Sequence, residues 1–132
     1  MPFPTPQDAE DAFYDAIEAN DLAAMAQVWE ESAESACLLP MQPLFLGYPA
    51  IMENWQGLLH PDLQIEISIR HLRWIESGSL AIHLIEERIQ SGPQQLPQPP
   101  IYATNIFRNN GDGWQLLLHT NAPAAPPAEF PQ

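Results

Sequence analysis

Along the first third of the chain, apolar residues recur at helical spacing. Thr5-Pro6-Gln7-Asp8 has the marks of a helix start: Thr5 as the cap, Pro6 at the first helical position, and Asp8 and Glu10 at the positive end of the dipole. Ala9, Phe13, Ala16 and Ile17 then fall on one face. Asn20-Asp21 ends that helix and caps a second, whose stripe is Leu22, Met25, Val28 and Trp29, with Glu30 and Glu31 facing water. Ser35 to Met41 reads as a short strand stopped by Pro40. Gly47-Tyr48-Pro49 opens a third helix with Ile51, Trp55 and Leu58 or Leu59 inward, and His60-Pro61-Asp62 stops it.

From Leu63 the period becomes two. Leu63, Ile65, Ile67 and Ile69 face one way, and Gln64, Glu66, Ser68 and Arg70 the other. The parity then flips, because Leu72 and Trp74 are the next large apolar residues, and a flip inside one long strand marks a β-bulge near His71. Ser77-Gly78 turns the chain into LAIHLIEERIQ, apolar on both faces and so expected to be covered on both. Ser91 to Pro100, rich in proline and glutamine, reads as an exposed connection. IYATNIFR and GWQLLLHTN follow as strands joined by the turn NNGDG. Residues 1–123 make one domain, and the proline-rich 124–132 an extended or disordered tail. Helices first and antiparallel strands after predict α+β architecture, three helices on one face of a bent sheet.

AFYDAIEANDLAAMAQVW (Ala12 to Trp29), GYPAIMENW (Gly47 to Trp55) and the closing ATNIF…GDGWQLLLHTNAP resemble the NTF2-like superfamily, and within it the SnoaL-like and ketosteroid isomerase-like small bacterial proteins. The resemblance implies a cystatin-like cone: three N-terminal helices packed on a strongly curved antiparallel sheet, with a pocket at the wide end. It also implies a homodimer through the outer face of the sheet. A fold of this kind implies a cavity and not a chemistry. Compared with the family pattern, Leu39 stands where a histidine often precedes the proline, and the last strand keeps one histidine, His119.

The charge balance narrows the partners. Seventeen acidic residues against four arginines and no lysine give a formal charge of −13. Such a surface repels phosphate backbones and anionic membranes, which excludes nucleic acid and membrane surfaces as partners. No run of 18 apolar residues spans a membrane, and the N-terminus lacks the basic and apolar regions of a signal peptide, so a cytoplasmic protein is expected. Cys37, the single cysteine, has apolar neighbours and reads as a buried small hydrophobe.

Three polar residues stand out on strands otherwise apolar. Ala81, His83, Ile85, Glu87 and Ile89 share a face of one strand, Ala103, Asn105 and Phe107 of the next, and Gln115, Leu117, His119 and Asn121 of the last. Aligned registers would bring Glu87, Asn105 and His119 together. Glu87 and His119 are the candidate acid–base pair, with Asn105 and Phe107 beside the ligand and Met41, Tyr48 and Trp55 at the roof and mouth. The same trio read structurally is a set of side chains satisfying one another, because an unpaired buried polar group costs ~1–3 kcal/mol. Trp29 belongs to the core. His60 and His71 are expected to be solvated or capping. The histidine spacing carries no metal pattern, so no metal and no cofactor is expected. A ketosteroid-isomerase mechanism needs a tyrosine or protonated acid beside a carboxylate, and no matching position is identified; no aspartate lies on a predicted strand face for dehydratase chemistry. Three functions follow in order: a binder of a small, mainly apolar or ring-containing molecule, a lyase or isomerase using Glu87 and His119, and a non-catalytic dimerisation module.

Overall fold

The computed structural model describes residues 2–62, 64–91, 96–97 and 99–123. Helix α1 (Pro6–Ala19) starts where Thr5 accepts the Asp8 N–H at 3.0 Å and ends at Asn20, whose positive φ of 53° suits an asparagine. Asp21 caps α2 (Leu22–Val28) by accepting the Ala24 N–H. Trp29 stands one residue beyond α2, in extended conformation, and bridges to Leu116. Next come β1 (Ala36–Leu38) and β2 (Phe45–Leu46), then helix α3 (Tyr48–Leu58). Strands β3 (Ile65–Ser77), β4 (Leu80–Ser91), β5 (Leu96–Pro97), β6 (Ile101–Asn109) and β7 (Trp114–Pro123) complete the chain.

The sheet runs β2-β1-β7-β6-β4-β3, with β5 paired to β4. It is open, with β2 and β3 as its two edges. It is mixed rather than purely antiparallel: β1 lies parallel to β7, and the other pairings are antiparallel. A short strand reached from the helical hairpin must enter beside the last strand in whatever direction the hairpin delivers it. Leu96–Pro97 pairs with β4 inside a stretch whose composition reads as loop; residues 92–95 and 98 of that connection, and the tail 124–132, lie outside the described residues.

The bulge in β3 falls between His71 and Arg73, where the parity flip predicts it. A second bulge was not anticipated. The β6–β7 register shifts between Ile106 and Phe107, whose partners are Leu118 and Leu116. Leu117 is the extra residue, so Trp114 and Leu116 face the helices on one side of it, and His119 on the other. Gln115 and Leu117 therefore do not share a face with His119. The Gln115 amide instead donates to the Gln27 and Trp29 carbonyls.

Phe13 is the hub of the core. Its ring lies 4.9 Å from Tyr14, 6.1 Å from Trp29, 5.8 Å from Trp55 and 4.9 Å from His119, centroid to centroid. Edge-to-face rings of this kind add ~0.5–1.5 kcal/mol per pair to the area they bury. The acids after α2 are not all solvated: Glu30 and Glu34 both clasp Arg108 of β6, at 2.6 and 2.9 Å. The Arg108 hydrogen bonds hold the Glu30 carboxyl below its ordinary range against the effect of burial. Cys37 is buried, and burial pushes its thiol up to about 12, so it is no nucleophile.

The N-terminal segment closes the far end. Phe3 exchanges both backbone hydrogen bonds with Trp114, at 3.0 and 2.8 Å. Gly113, at φ +152°, has no room for a Cβ there: one would stand 2.7 Å from the Phe3 carbonyl oxygen and 2.8 Å from Pro2 Cβ. Gly113→Ala is expected to cost roughly 1–3 kcal/mol, seen as a Tm lowered by several degrees, whereas Gly57→Ala, with open space around it, leaves the Tm unchanged or raises it.

Candidate functional site

Helix α1 lies in the concave face of the sheet and sends two polar side chains into it one turn apart. Glu10 and Tyr14 sit at i and i+4, on the same stripe as Phe13 and Ile17. Glu10 is without solvent contact. It receives three donors from three strands: His71 Nε2 of β3 at 2.6 Å, His83 Nδ1 of β4 at 3.0 Å and Asn105 Nδ2 of β6 at 3.0 Å. Burial alone would raise its carboxyl, but the bonds from His83, Asn105 and His71 outweigh it and hold Glu10 below the ordinary range. Glu10 is therefore the ionised centre of the network.

Tyr14 donates to Glu87 Oε2 at 2.6 Å, and Asn105 Nδ2 donates to the Tyr14 oxygen at 3.2 Å. Burial, then the Glu87 charge and hydrogen bond, push the Tyr14 phenol far above its ordinary range, so it is a fixed donor. The Asn105 carbonyl faces His119 Nδ1. His119 Nε2 meets Asn121 Oδ1 at 2.7 Å, and Asn121 Nδ2 donates to Glu87 Oε1 at 2.9 Å. His119 Nε2 and Glu87 Oε2 are 3.9 Å apart. Burial lowers the proton affinity of His119, opposed by Glu87 and Asn121.

A cavity of ≈ 270 Å³ opens beside this second group. Its walls are apolar, among them Phe13, Ile17, Trp55, Leu59 and Ile67, and its inner end is Tyr14, Glu87, His119 and Asn121. A larger depression, ≈ 670 Å³, lies over the exposed residues Glu18, Glu66, Ser68 and Arg88 and contains none of these buried groups. Of the residues singled out in the sequence, Glu87, His119 and Trp55 line the cavity. Asn105 is wholly buried behind His119 and positions it, with no surface on the cavity. Phe107 is also buried, packed on His83 at 5.1 Å. Tyr48 points away, its hydroxyl donating to the Ala26 carbonyl at 2.9 Å. Met41 is fully exposed at φ +61°. The loop after β1 turns outward at that left-handed residue, so Leu39, Pro40 and Gln42 reach the mouth and Met41 does not.

His60 accepts the Asp62 N–H in the turn after α3, as a capping group would. His71 is different: it reaches inward to Glu10, under Trp74, whose ring lies 4.7 Å from His71 and 4.4 Å from His83. Glu10, His71 and His83 each bring one ligand-type atom within 4.8 Å of the others, and among the described residues they form a group that could hold a metal ion. Sequence spacing could not reveal this cluster, which comes from three elements. In its hydrogen-bonded form both rings direct N–H groups at Glu10, so a metal would have to displace two protons.

With this geometry in view, the class is clear: an NTF2-like, cystatin-like fold, three helices on an open mixed sheet. The model of the SnoaL-like domain matches residues 7–126, and the chain belongs to that family. A crystal structure from Thiobacillus denitrificans, named for a calcium/calmodulin-dependent protein kinase type II association domain, is 32% identical. It covers 95% of this chain and 99% of its own, with a TM-score of 0.87. A protein from Streptomyces avermitilis named as a dehydratase of the NTF2-like family is 25% identical over 91% and 94%, TM-score 0.81. A ketosteroid isomerase-like protein from Erwinia carotovora atroseptica shares 13% identity over 91% and 94%, TM-score 0.68, and is similar in fold alone. No functionally curated protein matches the chain. Among the described residues no helix is long and apolar enough to cross a membrane.

Replacing Glu10 by Ala strips two buried donors and one half-buried one of their acceptor and is expected to cost about 3 kcal/mol or more. Because the folded carboxyl titrates lower than the unfolded one, its contribution is complete above about pH 4.5 and is lost as pH falls through the folded value. Urea titrations from pH 7 downward should show a shallower acid decline for Glu10→Gln than for the parent; Glu30 and Glu86, lowered by their bonds to Arg108 and Arg70, contribute to the part that remains.

Proposed function

We propose that this protein binds a small, mainly apolar, ring-containing molecule in the cavity beside α1, with no reaction assigned. The observation that carries this is the pairing of ≈ 270 Å³ of mainly apolar-walled space with a polar cluster of buried Glu87, His119 and Tyr14 and half-buried Asn121. Pockets of about this size suit one or two rings, and convergent polar groups at one end orient what the walls hold. The formal charge of −13 disfavours anionic ligands. The acidic surface, together with one buried thiol, supports a cytoplasmic protein.

A second reading is supported by one distance. Glu87 and His119 stand 3.9 Å apart at the cavity wall, close enough for both to touch one ligand atom group, as a lyase or isomerase acting on a small ring-containing substrate would need. The relative named as a dehydratase carries that word for itself only.

We also propose a homodimer through the outer face of the sheet. Ile75 of β3, Ile82 of β4, Ile106 of β6 and Leu118 of β7 follow one another in register there, with Leu84 between Thr104 and Arg73 and Leu80 exposed at the strand start. An apolar sheet face of this breadth fits a second copy of itself. Ile106→Glu is expected to give monomers in light scattering at micromolar concentration, with the far-UV spectrum kept; a parent protein that is already monomeric would remove the proposal.

Leu59→Trp narrows the cavity without touching its polar end. Titration of cyclic alcohols, ketones and phenols, followed by Trp55 fluorescence, should saturate for the parent and weaken at least about ten-fold for the filled variant. Equal affinities in both proteins, or no saturable binding of any ring compound, would refute a ligand in this cavity.

A further inference from the structure

Hydrogen-bond bookkeeping at the cavity's polar end leaves little freedom. The Asn105 amide cannot turn round, since both its N–H groups are taken, by the Glu10 carboxylate at 3.0 Å and the Tyr14 oxygen at 3.2 Å. Reversing it would press a carbonyl against an ionised carboxylate. Its carbonyl therefore faces His119, and His119 Nδ1 must carry a proton. The remaining question is Nε2. It faces Asn121 Oδ1 at 2.7 Å, an acceptor, while Asn121 Nδ2 serves Glu87 Oε1 at 2.9 Å. That arrangement requires Nε2–H as well, a charged ring beside a charged Glu87.

The alternative turns the Asn121 amide over. Nδ2 then donates to a neutral Nε2, and Oδ1 faces Glu87 Oε1, which must carry the proton instead. A neutral His119 with an ionised Glu87 fits neither orientation: one leaves two acceptors facing at Nε2, the other two at Oε1. Either orientation thus places one proton, besides that on Nδ1, within the pair, on His119 Nε2 or on Glu87. Burial favours giving it up from the imidazole, and the group placed to receive it is Glu87. The second Asn121 N–H, 3.4 Å from the Tyr102 carbonyl, favours the orientation found, with the proton on His119. The charged and titratable groups around the ring are Glu10 and Tyr14 from α1, Glu87 from β4 and, in backbone register on β1, Cys37.

In that orientation each hydrogen of His119, Tyr14, Asn121 and Asn105 at this end is engaged. The Trp55 indole N–H has no partner, but it is buried without solvent contact. What remains for a ligand is the lone pairs of Glu87. We propose that Glu87 and His119 together hold one proton, so that the pocket's polar end accepts hydrogen bonds without offering any, and takes a ring-bearing ligand by its hydroxyl rather than by a carbonyl or carboxylate. The ligand half rests on the cavity reading above; the proton half does not.

Nuclear magnetic resonance of the full chain labelled with 15N and 13C tests it. At pH 7 the parent should show either two protonated His119 nitrogens with an ionised Glu87, or a neutral ring with a protonated Glu87. A neutral ring beside an ionised Glu87, or protons on both groups, would overturn the proposal. Glu87→Gln supplies an N–H where the carboxyl proton would sit, so its His119 should be neutral from about pH 5 to 8; a charged ring at pH 7 in that variant also overturns it. Cyclohexanol should bind the parent about ten-fold tighter than cyclohexanone or cyclohexanecarboxylate, because a site of acceptors penalises a ligand without a donor. Tighter binding of the ketone or the acid overturns the ligand half. Failure of all three to bind overturns that half together with the cavity reading, while the resonances still decide the proton.

Discussion

A carboxylate without water holds the concave side of this protein together. Glu10 is ionised and wholly buried, a state that desolvation alone would forbid, and it survives because β3, β4 and β6 each bring it a proton donor. The helix α1 cannot slide or rotate on the sheet without breaking one of these bonds, and each leaves a charge or an N–H stranded. The apolar stripe of α1 provides most of the binding energy between helix and sheet, but apolar contacts are tolerant of small shifts. Directional bonds to a charge are not. The three donors therefore fix the registration that the hydrophobic face leaves loose.

Much of the fold was legible because it is written in periodicities. Thr5-Pro6, the stripe through Ile17, the turn at Gly78 and the parity flip at His71 each have one simple structural meaning, and each stands where those residues put it. The second bulge was not legible: GWQLLLHT is apolar at every position from Leu116 to Leu118, so alternation carries no phase there and an extra residue leaves no trace. The direction of β1 was also hidden, since three residues cannot encode whether their neighbour runs parallel.

The candidate site divides the same way. Strand residues were found because a polar group interrupts an apolar face; Glu87, Asn105 and His119 were grouped on that ground, and the registers Asn105↔His119 and Asn105↔His83 join the three strands β7, β6 and β4, with Glu87 itself in register with Ile101. Helical contributions were missed. Glu10 was given to the helix dipole and Tyr14 to nothing, although Glu10, Phe13, Tyr14 and Ile17 follow the i, i+3, i+4, i+7 pattern of a buried stripe. A carboxylate in that pattern, opposite strands that carry inward histidines, is the signal that would have found it. His71 was lost for a related reason: a bulge turns its side chain inward while the alternation around it changes phase.

Glu10 and Tyr14, four residues apart, turn one geometric fact into two chemical ones. Glu10 fixes the Asn105 amide, and Asn105 in turn fixes a hydrogen on Nδ1 of His119. Tyr14, placed by the same turn of helix, occupies one oxygen of Glu87 and leaves the other to Asn121. The cavity's polar end is thus oriented from behind, by a buried charge that no ligand touches. A protein that matches at 13% identity is similar in fold alone, and a fold has no preferred chemistry. Which polar groups face the cavity depends on whether the first turns of α1 carry an acid that the strands can answer, and in this chain they do.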